Sequence, residues 1–198
     1  MERYQQIWYP GDTVSVGIGQ GYTLVTPLQL AFATATLANN GVAYQPHLVK
    51  EVQSSKSSEN RFIAKDPLYD LNINPQDLDL VRRAMVAVTQ PGGTAVYASL
   101  GAPYQIAGKT GTAQVVAMKQ GEKYDAKKVD ERLRDHAWFI AYAPADKPRI
   151  ALAVLAENGG HGGGTAAPIA RKVLDYYLLG KVPKPLTDAE VKQGGEHD

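Results

Sequence analysis

Residues 136–157 read HAWFIAYAPADKPRIALAVLAE. His136–Ala143 and Arg149–Glu157 are apolar runs of strand length, bounded by turn residues. The five residues between them, Pro144 to Pro148, are too few for a crossover, so the two strands pair antiparallel. Just upstream, Ile106–Met118 contains GKTGTAQVV and reads as a third extended segment. Downstream, the glycine-rich loop Gly159–Gly164 leads into a helix over Thr165–Leu179. Ile169, Val173, Leu174, Tyr177 and Leu178 are its predicted apolar face. Consecutive strands with helices before and after them predict an α+β fold, an antiparallel sheet flanked by helices.

The amino-terminal half supplies the other helices. Thr26-Pro27 places a capping hydroxyl before a proline at the first helical position. The apolar spacing of Leu28, Leu30, Ala31, Ala35 and Leu37 continues the helix, and Asn39-Asn40-Gly41 ends it. Pro75–Gln90 predicts a second helix with Leu78, Val81, Met85 and Val88 as its buried stripe, closed by Pro91-Gly92-Gly93. Thr94–Leu100 is a further short helix. Before these, Thr13–Val16 reads as a short strand from its β-branched residues, followed by a tight loop through Gly17, Gly19 and Gly21. Val42–Val52 reads as extended, Ser54–Asn60 as a surface loop, Gly121–Arg134 as a charged connection, and the residues from Lys181 as a loose tail.

Composition excludes several classes. The 198 residues carry 21 Lys and Arg against 20 Asp and Glu, with no basic excess to suggest a nucleic-acid binder. Hydrophobic residues make up 44% of the chain and charged residues 21%, which excludes a highly charged disordered polymer. There is no cysteine, hence no disulfide, thiolate nucleophile or cysteine-based zinc site. No apolar run approaches the roughly 18 residues that a membrane helix requires, and residues 1–6 lack the apolar region of a signal peptide.

Lys109-Thr110-Gly111-Thr112 carries the most chemistry. On an edge strand, free N–H and C=O groups can pair with an extended peptide. Lys109 offers a cation to a nearby hydroxyl or carboxylate, and Thr110 and Thr112 offer hydroxyls to a substrate carboxylate. Gly111 has no Cβ to hold a ligand off the backbone. The competing reading is a surface strand with a solvated lysine. A phosphate-binding loop is rejected, because Pro103 stands where that motif needs glycine and the residues after Lys109 continue as a strand. Gly17-Ile18-Gly19-Gln20-Gly21 matches half of a dinucleotide fingerprint, but Tyr22 occupies the third glycine position. His47, His136, His161 and His197 are too scattered for a metal site. Asp135 and His136, as neighbours on a strand, point to opposite faces.

Four blocks in order then carry a resemblance: WYPGDTVSVGIGQGYTLVTPLQLA (8–31), AGKTGTAQVV (107–116), ERLRDHAWFIAYAP (131–144) and ALAVLAENGGHGGGTAAPIARKVLDYYLLG (151–180). Together they resemble the transpeptidase domain of class B penicillin-binding proteins, in the branch that serves cell elongation and rod shape. The resemblance implies a penicillin-binding, serine β-lactamase-like fold, with residues 1–180 as its C-terminal part and 181–198 as a polar tail. Family members use three motifs: S-x-x-K with a nucleophilic serine, S-x-N, and K-T-G. Only K-T-G stands here in its expected place. No Lys in the chain has Ser or Thr three residues before it, and Ser58-Glu59-Asn60 lies after the GIGQG block instead of before it.

By resemblance, the whole protein cross-links peptidoglycan stem peptides through a serine acyl-enzyme and is trapped by β-lactams. Lys109 would support proton transfer, Thr110 and Thr112 would hold the terminal carboxylate beside Gly111, and the Thr112 N–H would form half of the oxyanion hole. No metal or organic cofactor is implied. The implied partners are the stem peptide, β-lactams and a membrane-embedded glycosyltransferase of the elongation machinery. The implied place is the periplasmic face of the bacterial inner membrane. A non-catalytic peptide-binding module or a penicillin sensor is the alternative, distinguished by whether S-x-x-K and S-x-N precede residue 1 in the gene.

Overall fold

The computed structural model describes residues 7–53, 60–62, 66–115 and 129–182. Its centre is an antiparallel sheet of three strands in the order β5 (Ala107–Ala113), β6 (His136–Ala143) and β7 (Ile150–Ala156). Thr110 lies opposite Phe139, and Phe139 opposite Val154. Four strands precede it in chain order. β1 (Val42–Tyr44) pairs with β4 (Pro67–Asp70), and β2 (Glu51–Gln53) with β3 (Asn60–Phe62).

Strand β6 is covered on both faces. On one face, Ala137, Phe139, Ala141 and Ala143 pack with Ala95, Ala98, Ile106, Ala166, Ala167, Ala170 and Leu174. These come from α4 (Val96–Ser99), from a π-helical turn at Gly162–Ala166 and from α5 (Ala167–Leu179), among other segments. On the other face, Ala107 and Tyr142 pack with Ala38 of α2 (Pro27–Ala38) and Met85 of α3 (Pro75–Ala87). The alternation of side chains along β6 thus separates two cores, giving the expected α+β layering. Burying large side chains such as Phe139 and Leu174 contributes about 1.5–3 kcal/mol each.

The α2 start follows its sequence signal. The Gln29 N–H donates to Thr26 Oγ1 at 3.2 Å and the Thr26 N–H to Gln29 Oε1 at 2.8 Å, a reciprocal capping box. Asn40 and Gly41, at φ 60° and 91°, turn the chain out of the helix. Arg82 of α3 donates to the Ala38 carbonyl and so ties the two helices together.

Several expectations need correction. Thr13–Val16 is helical, inside α1 (Pro10–Gly17). The Tyr9 N–H donates to the Asp12 carboxylate at 2.8 Å, and Pro10 opens the helix. This cap outweighs the weak strand preference of the β-branched residues that follow. On α3, Leu78 and Met85 are buried and Val88 half-buried, but Val81 is exposed. On α5, Ile169, Val173 and Tyr177 face outward, whereas Ala167, Ala170 and Leu174 are buried. The reason is the alanine face of β6, which a helix approaches closely through its own small residues. The Gly159–Gly164 loop is partly ordered into the π-helical turn, so α5 starts at Ala167 and not Thr165.

Within Gly121–Arg134, Glu131–Leu133 is a single 3-10 turn, and residues 121–128 lie outside the described residues. So do 54–59 of the Ser54–Asn60 loop, 116–118 at the end of the Ile106–Met118 segment, and the tail from 183 onward. Asn60 itself opens β3. No helix among the described residues is long and apolar enough to cross a membrane.

Candidate functional site at the β5 rim

Among the described residues β5 pairs with β6 alone, so its other side is a strand-free rim there. The ladder continues past the strand, with the Ala145 N–H donating to the Gln105 carbonyl at 2.9 Å. Odd-numbered residues of β5 therefore bond to β6, and even-numbered ones turn their N–H and C=O to the rim. The rim carbonyls have side-chain donors. Thr89 Oγ1 donates to Ile106, Lys109 Nζ to Thr110, and Gln20 Nε2 to Thr112, each at 2.7 Å. Such capping blunts an edge that would otherwise pair indiscriminately.

Strand alternation splits the four sequence-selected residues. Lys109 directs its Cβ, and Gly111 its bare Cα, to the α2/α3 face, and Thr110 and Thr112 direct Cβ to the α5 face. The Lys109 stem lines an apolar cavity of about 520 Å³ with Leu30, Leu37, Met85 and Ile140 among its neighbours. Its ammonium nonetheless reaches the rim, at the Thr110 carbonyl. The Thr110 hydroxyl lies 2.9 Å from the Thr94 hydroxyl. Thr112 presents both its carbonyl and its N–H at the rim. Lys109, Thr110 and Thr112 thus converge only along this edge.

Gly111 stands opposite Trp138, and a Cβ added at Gly111 would lie 3.2 Å from the Trp138 Cβ. On the other side of the same pair lies Gly162, where an added Cβ would sit 2.1 Å from the Trp138 carbonyl oxygen and 2.7 Å from that of Gly111. A Cβ at Gly163 would fall 2.2 Å from the Thr94 carbonyl oxygen. The bareness of Gly162, on the face opposite the missing Gly111 Cβ, is what lets the π-helical turn lie against the Gly111–Trp138 pair. This turn is pinned from below, with Thr165 Oγ1 donating to the Gly159 carbonyl at 2.8 Å and the Gly160 N–H to the Asp135 carbonyl at 2.9 Å.

His161, at the head of the turn, is exposed. His136 Nδ1 accepts the Asn158 N–H at 2.9 Å, so that nitrogen carries no proton here. Asn158 sits at φ 56° and donates Nδ2 to the carbonyls of Arg132 and Arg134, both at 3.0 Å. Among the described residues no cluster of three or more His, Asp or Glu could hold a metal ion.

One ionic network secures the segment that leads into β5. The Tyr104 hydroxyl donates to Asp175 Oδ1 at 2.6 Å, and Arg171 Nε donates to the same oxygen at 2.9 Å. Arg171 also donates to the carbonyls of Ala98 and Leu100. Burial, reinforced by Asp175, pushes the Tyr104 phenol far above its usual value and keeps it a donor. Burial alone would raise the Asp175 carboxyl, but hydrogen bonds from Arg171 and Tyr104 outweigh it and hold Asp175 below its ordinary range. On the α2/α3 side, burial raises the Tyr142 phenol against the nearby Arg82 charge.

Sequence reading missed Gln20, Thr94, Trp138 and Gly162 as parts of this site. Gln20 stands inside a glycine pattern that reads as a tight loop, is tested against nucleotide binding and is quoted in the resemblance, with no role given to its side chain. Thr94, 16 residues before Thr110, has no local signal at all.

The penicillin binding protein transpeptidase domain family matches residues 3–175. The peptidoglycan D,D-transpeptidase MrdA of Haemophilus influenzae is 44% identical over 187 residues, covering 92% of this chain and 28% of that protein. The MrdA of Escherichia coli K12 is 39% identical over 180 residues, 90% of this chain and 28% of that protein. The crystal structure of Pseudomonas aeruginosa PBP2 in complex with WCK 5153 superposes with a TM-score of 0.71 at 39% identity, over 93% of this chain and 38% of that one. Helicobacter pylori PBP2, in its complex with MreC, gives 0.68 at 32% identity, over 90% and 30%. The chain spans little more than a quarter of the length of the curated relatives.

Proposed function

Because the chain belongs to the penicillin-binding protein transpeptidase family, we propose that its β5 rim is one wall of the acyl-transfer site of a peptidoglycan D,D-transpeptidase. The parent is of the penicillin-binding protein 2 type that acts in cell elongation. Residues 1–180 form the C-terminal part of its transpeptidase domain. The nucleophilic serine of S-x-x-K and the S-x-N motif come from sequence outside these 198 residues.

In this reading the serine attacks the carbonyl of the D-Ala–D-Ala bond. The terminal D-Ala leaves with a proton, and an acyl-enzyme forms. The amine of a second stem peptide then displaces the serine, which regains its proton. Lys109, whose ammonium reaches the rim, lowers the cost of moving that proton. The hydroxyls of Thr110 and Thr112 take the terminal carboxylate of the donor peptide. The rim-facing N–H of Thr112 meets the oxyanion, a contact of the kind worth about 3–4 kcal/mol. β-Lactams enter as mimics of D-Ala–D-Ala. A membrane-embedded glycosyltransferase and an MreC-like protein are the partners of the parent, on the periplasmic face of the inner membrane.

The observation that carries the proposal is the placement of A-G-K-T-G-T on an edge strand with Thr112 turned to the rim. In the full-length parent, Lys109→Ala and Thr110→Ala should slow acylation by fluorescent penicillin about tenfold or more. Wild-type acylation in both variants would remove the assigned roles. The 198-residue chain alone should remain unlabelled, and a stoichiometric acyl adduct by intact-mass spectrometry would show that its nucleophile lies inside it.

A further inference from the structure

We infer that Gln20 is a positioning residue for the oxyanion-binding end of β5, a role that rests on the transpeptidase reading above. The GIGQG segment follows α1, and its backbone is built to present one side chain. Gly19 and Gly21 both lie in the left-handed region, at φ 80° and 75°, which glycine enters without steric cost. Between them, the Gln20 N–H bonds back to the Ser15 carbonyl at 2.9 Å. The half-buried side chain then crosses 92 residues of sequence to donate Nε2 to the Thr112 carbonyl at 2.7 Å.

The target of that bond matters. Thr112 is the rim residue whose N–H is assigned to the developing oxyanion. Its carbonyl and its N–H belong to the peptide planes on either side of one Cα, and both point to the rim. The Gln20 bond holds the strand at Thr112, next to Ala113 opposite His136, the last pair of the β5–β6 ladder among the described residues. A donor fixed on the carbonyl restrains the ψ of Thr112 and, through the shared Cα, the direction of its N–H. Oxyanion stabilisation depends on donors already aimed at the transition state. A carbonyl oxygen accepts two hydrogen bonds, so an extended ligand pairing at the rim can add its own N–H to Thr112 while Gln20 stays in place. The role is therefore one of alignment and leaves the site open.

The test is a split of acylation into its two steps in the full-length parent. Gln20→Met keeps the length of the side chain and removes the donor. It should lower the acylation rate constant about tenfold, a misaimed donor costing less than the 10²–10³-fold of a deleted one, with the dissociation constant of the noncovalent penicillin complex within about twofold. A second readout is independent of activity: the carbonyl ¹³C resonance of Thr112 should move upfield in Gln20→Met as its hydrogen bond is lost. A wild-type acylation rate constant in Gln20→Met, alongside impaired Lys109→Ala and Thr110→Ala, would overturn the Gln20 role alone. Normal rates in all three would instead overturn the transpeptidase reading beneath it. A change confined to the dissociation constant, or an unmoved Thr112 resonance, would likewise reject positioning.

Discussion

Replacing Gly162 by alanine tests whether the π-helical turn seats on the central sheet as described. The added methyl would fall 2.1 Å from the Trp138 carbonyl oxygen, 2.7 Å from the Gly111 carbonyl oxygen and 2.9 Å from the Gly111 nitrogen. All three are backbone atoms held in the β5–β6 ladder, so no rotamer change relieves them. The closest is about 0.9 Å inside the 3.0 Å that real contacts respect. Overpacking costs about 1–3 kcal/mol and more where nothing yields, so about 3 kcal/mol is expected. For a domain of this size that lowers the melting temperature by roughly 6–12 °C. Gly160→Ala is the control. It sits at φ 72° with nothing within 4 Å of an added Cβ, so only left-handed strain remains, about 1 kcal/mol, and roughly 2–4 °C. Both variants should be melted in the full-length parent, following the transpeptidase-domain transition by calorimetry. If Gly162→Ala melts no lower than Gly160→Ala, the turn does not abut the Gly111–Trp138 pair and the close-packed site is wrong.

Asp175→Asn should destabilise the domain by about 1–3 kcal/mol in urea denaturation, because Tyr104 and Arg171 lose a charged acceptor. Asp175 has its carboxyl held below the ordinary value. Its contribution is therefore fully present above that ordinary value and lost as pH falls through the lowered one. Wild-type stability should show this acid-side loss and Asp175→Asn should lack it, as pH-dependent denaturation curves would show. Asn158→Ala should cost more than Asn158→Gly, since glycine keeps the left-handed backbone at φ 56° while both lose the bonds to Arg132 and Arg134. Equal midpoints would reject a strain contribution there. Phe139→Ala should cost about 3–5 kcal/mol, because the ring is wholly buried at the centre of the α5-side core. A loss under 1 kcal/mol would mean that core is not formed.

The fold was most legible where one local signal sufficed. The apolar runs around Pro144–Pro148 returned β6 and β7 nearly to the residue, and Thr26, Pro27 and Gln29 announced α2 through a cap that the structure closes reciprocally. Legibility failed where two local rules competed or where a partner surface decided. At Thr13–Val16, β-branching argued for a strand, but Pro10 and Asp12 made a helix start. On α5, large residues at helical spacing suggested the buried face, yet the alanines of β6 selected Ala167 and Ala170. Hydrophobic size predicts burial only against a surface that leaves room for it.

The site shows the same limit in sharper form. K-T-G was readable as a motif, and strand alternation alone predicts that its lysine and its threonines leave the sheet on opposite faces. A motif confined to one face could not bring them together. What reunites them is the sheet edge: Lys109 bends its ammonium around to the Thr110 carbonyl, and Thr110 and Thr112 direct their peptide groups outward. That edge is defined by β5 having only β6 as a strand neighbour among the described residues, which is a property of topology. It is finished by Gln20 and Thr94, which arrive from separate parts of the chain. Chemistry-bearing residue types were therefore visible in the sequence, whereas their alignment belongs to long-range hydrogen bonds that no local pattern encodes. If the proposed transpeptidase reading holds, substitutions at Gln20, Thr94 or Gly162 should accordingly lower the rate of penicillin acylation in the full-length parent while leaving the motif itself untouched.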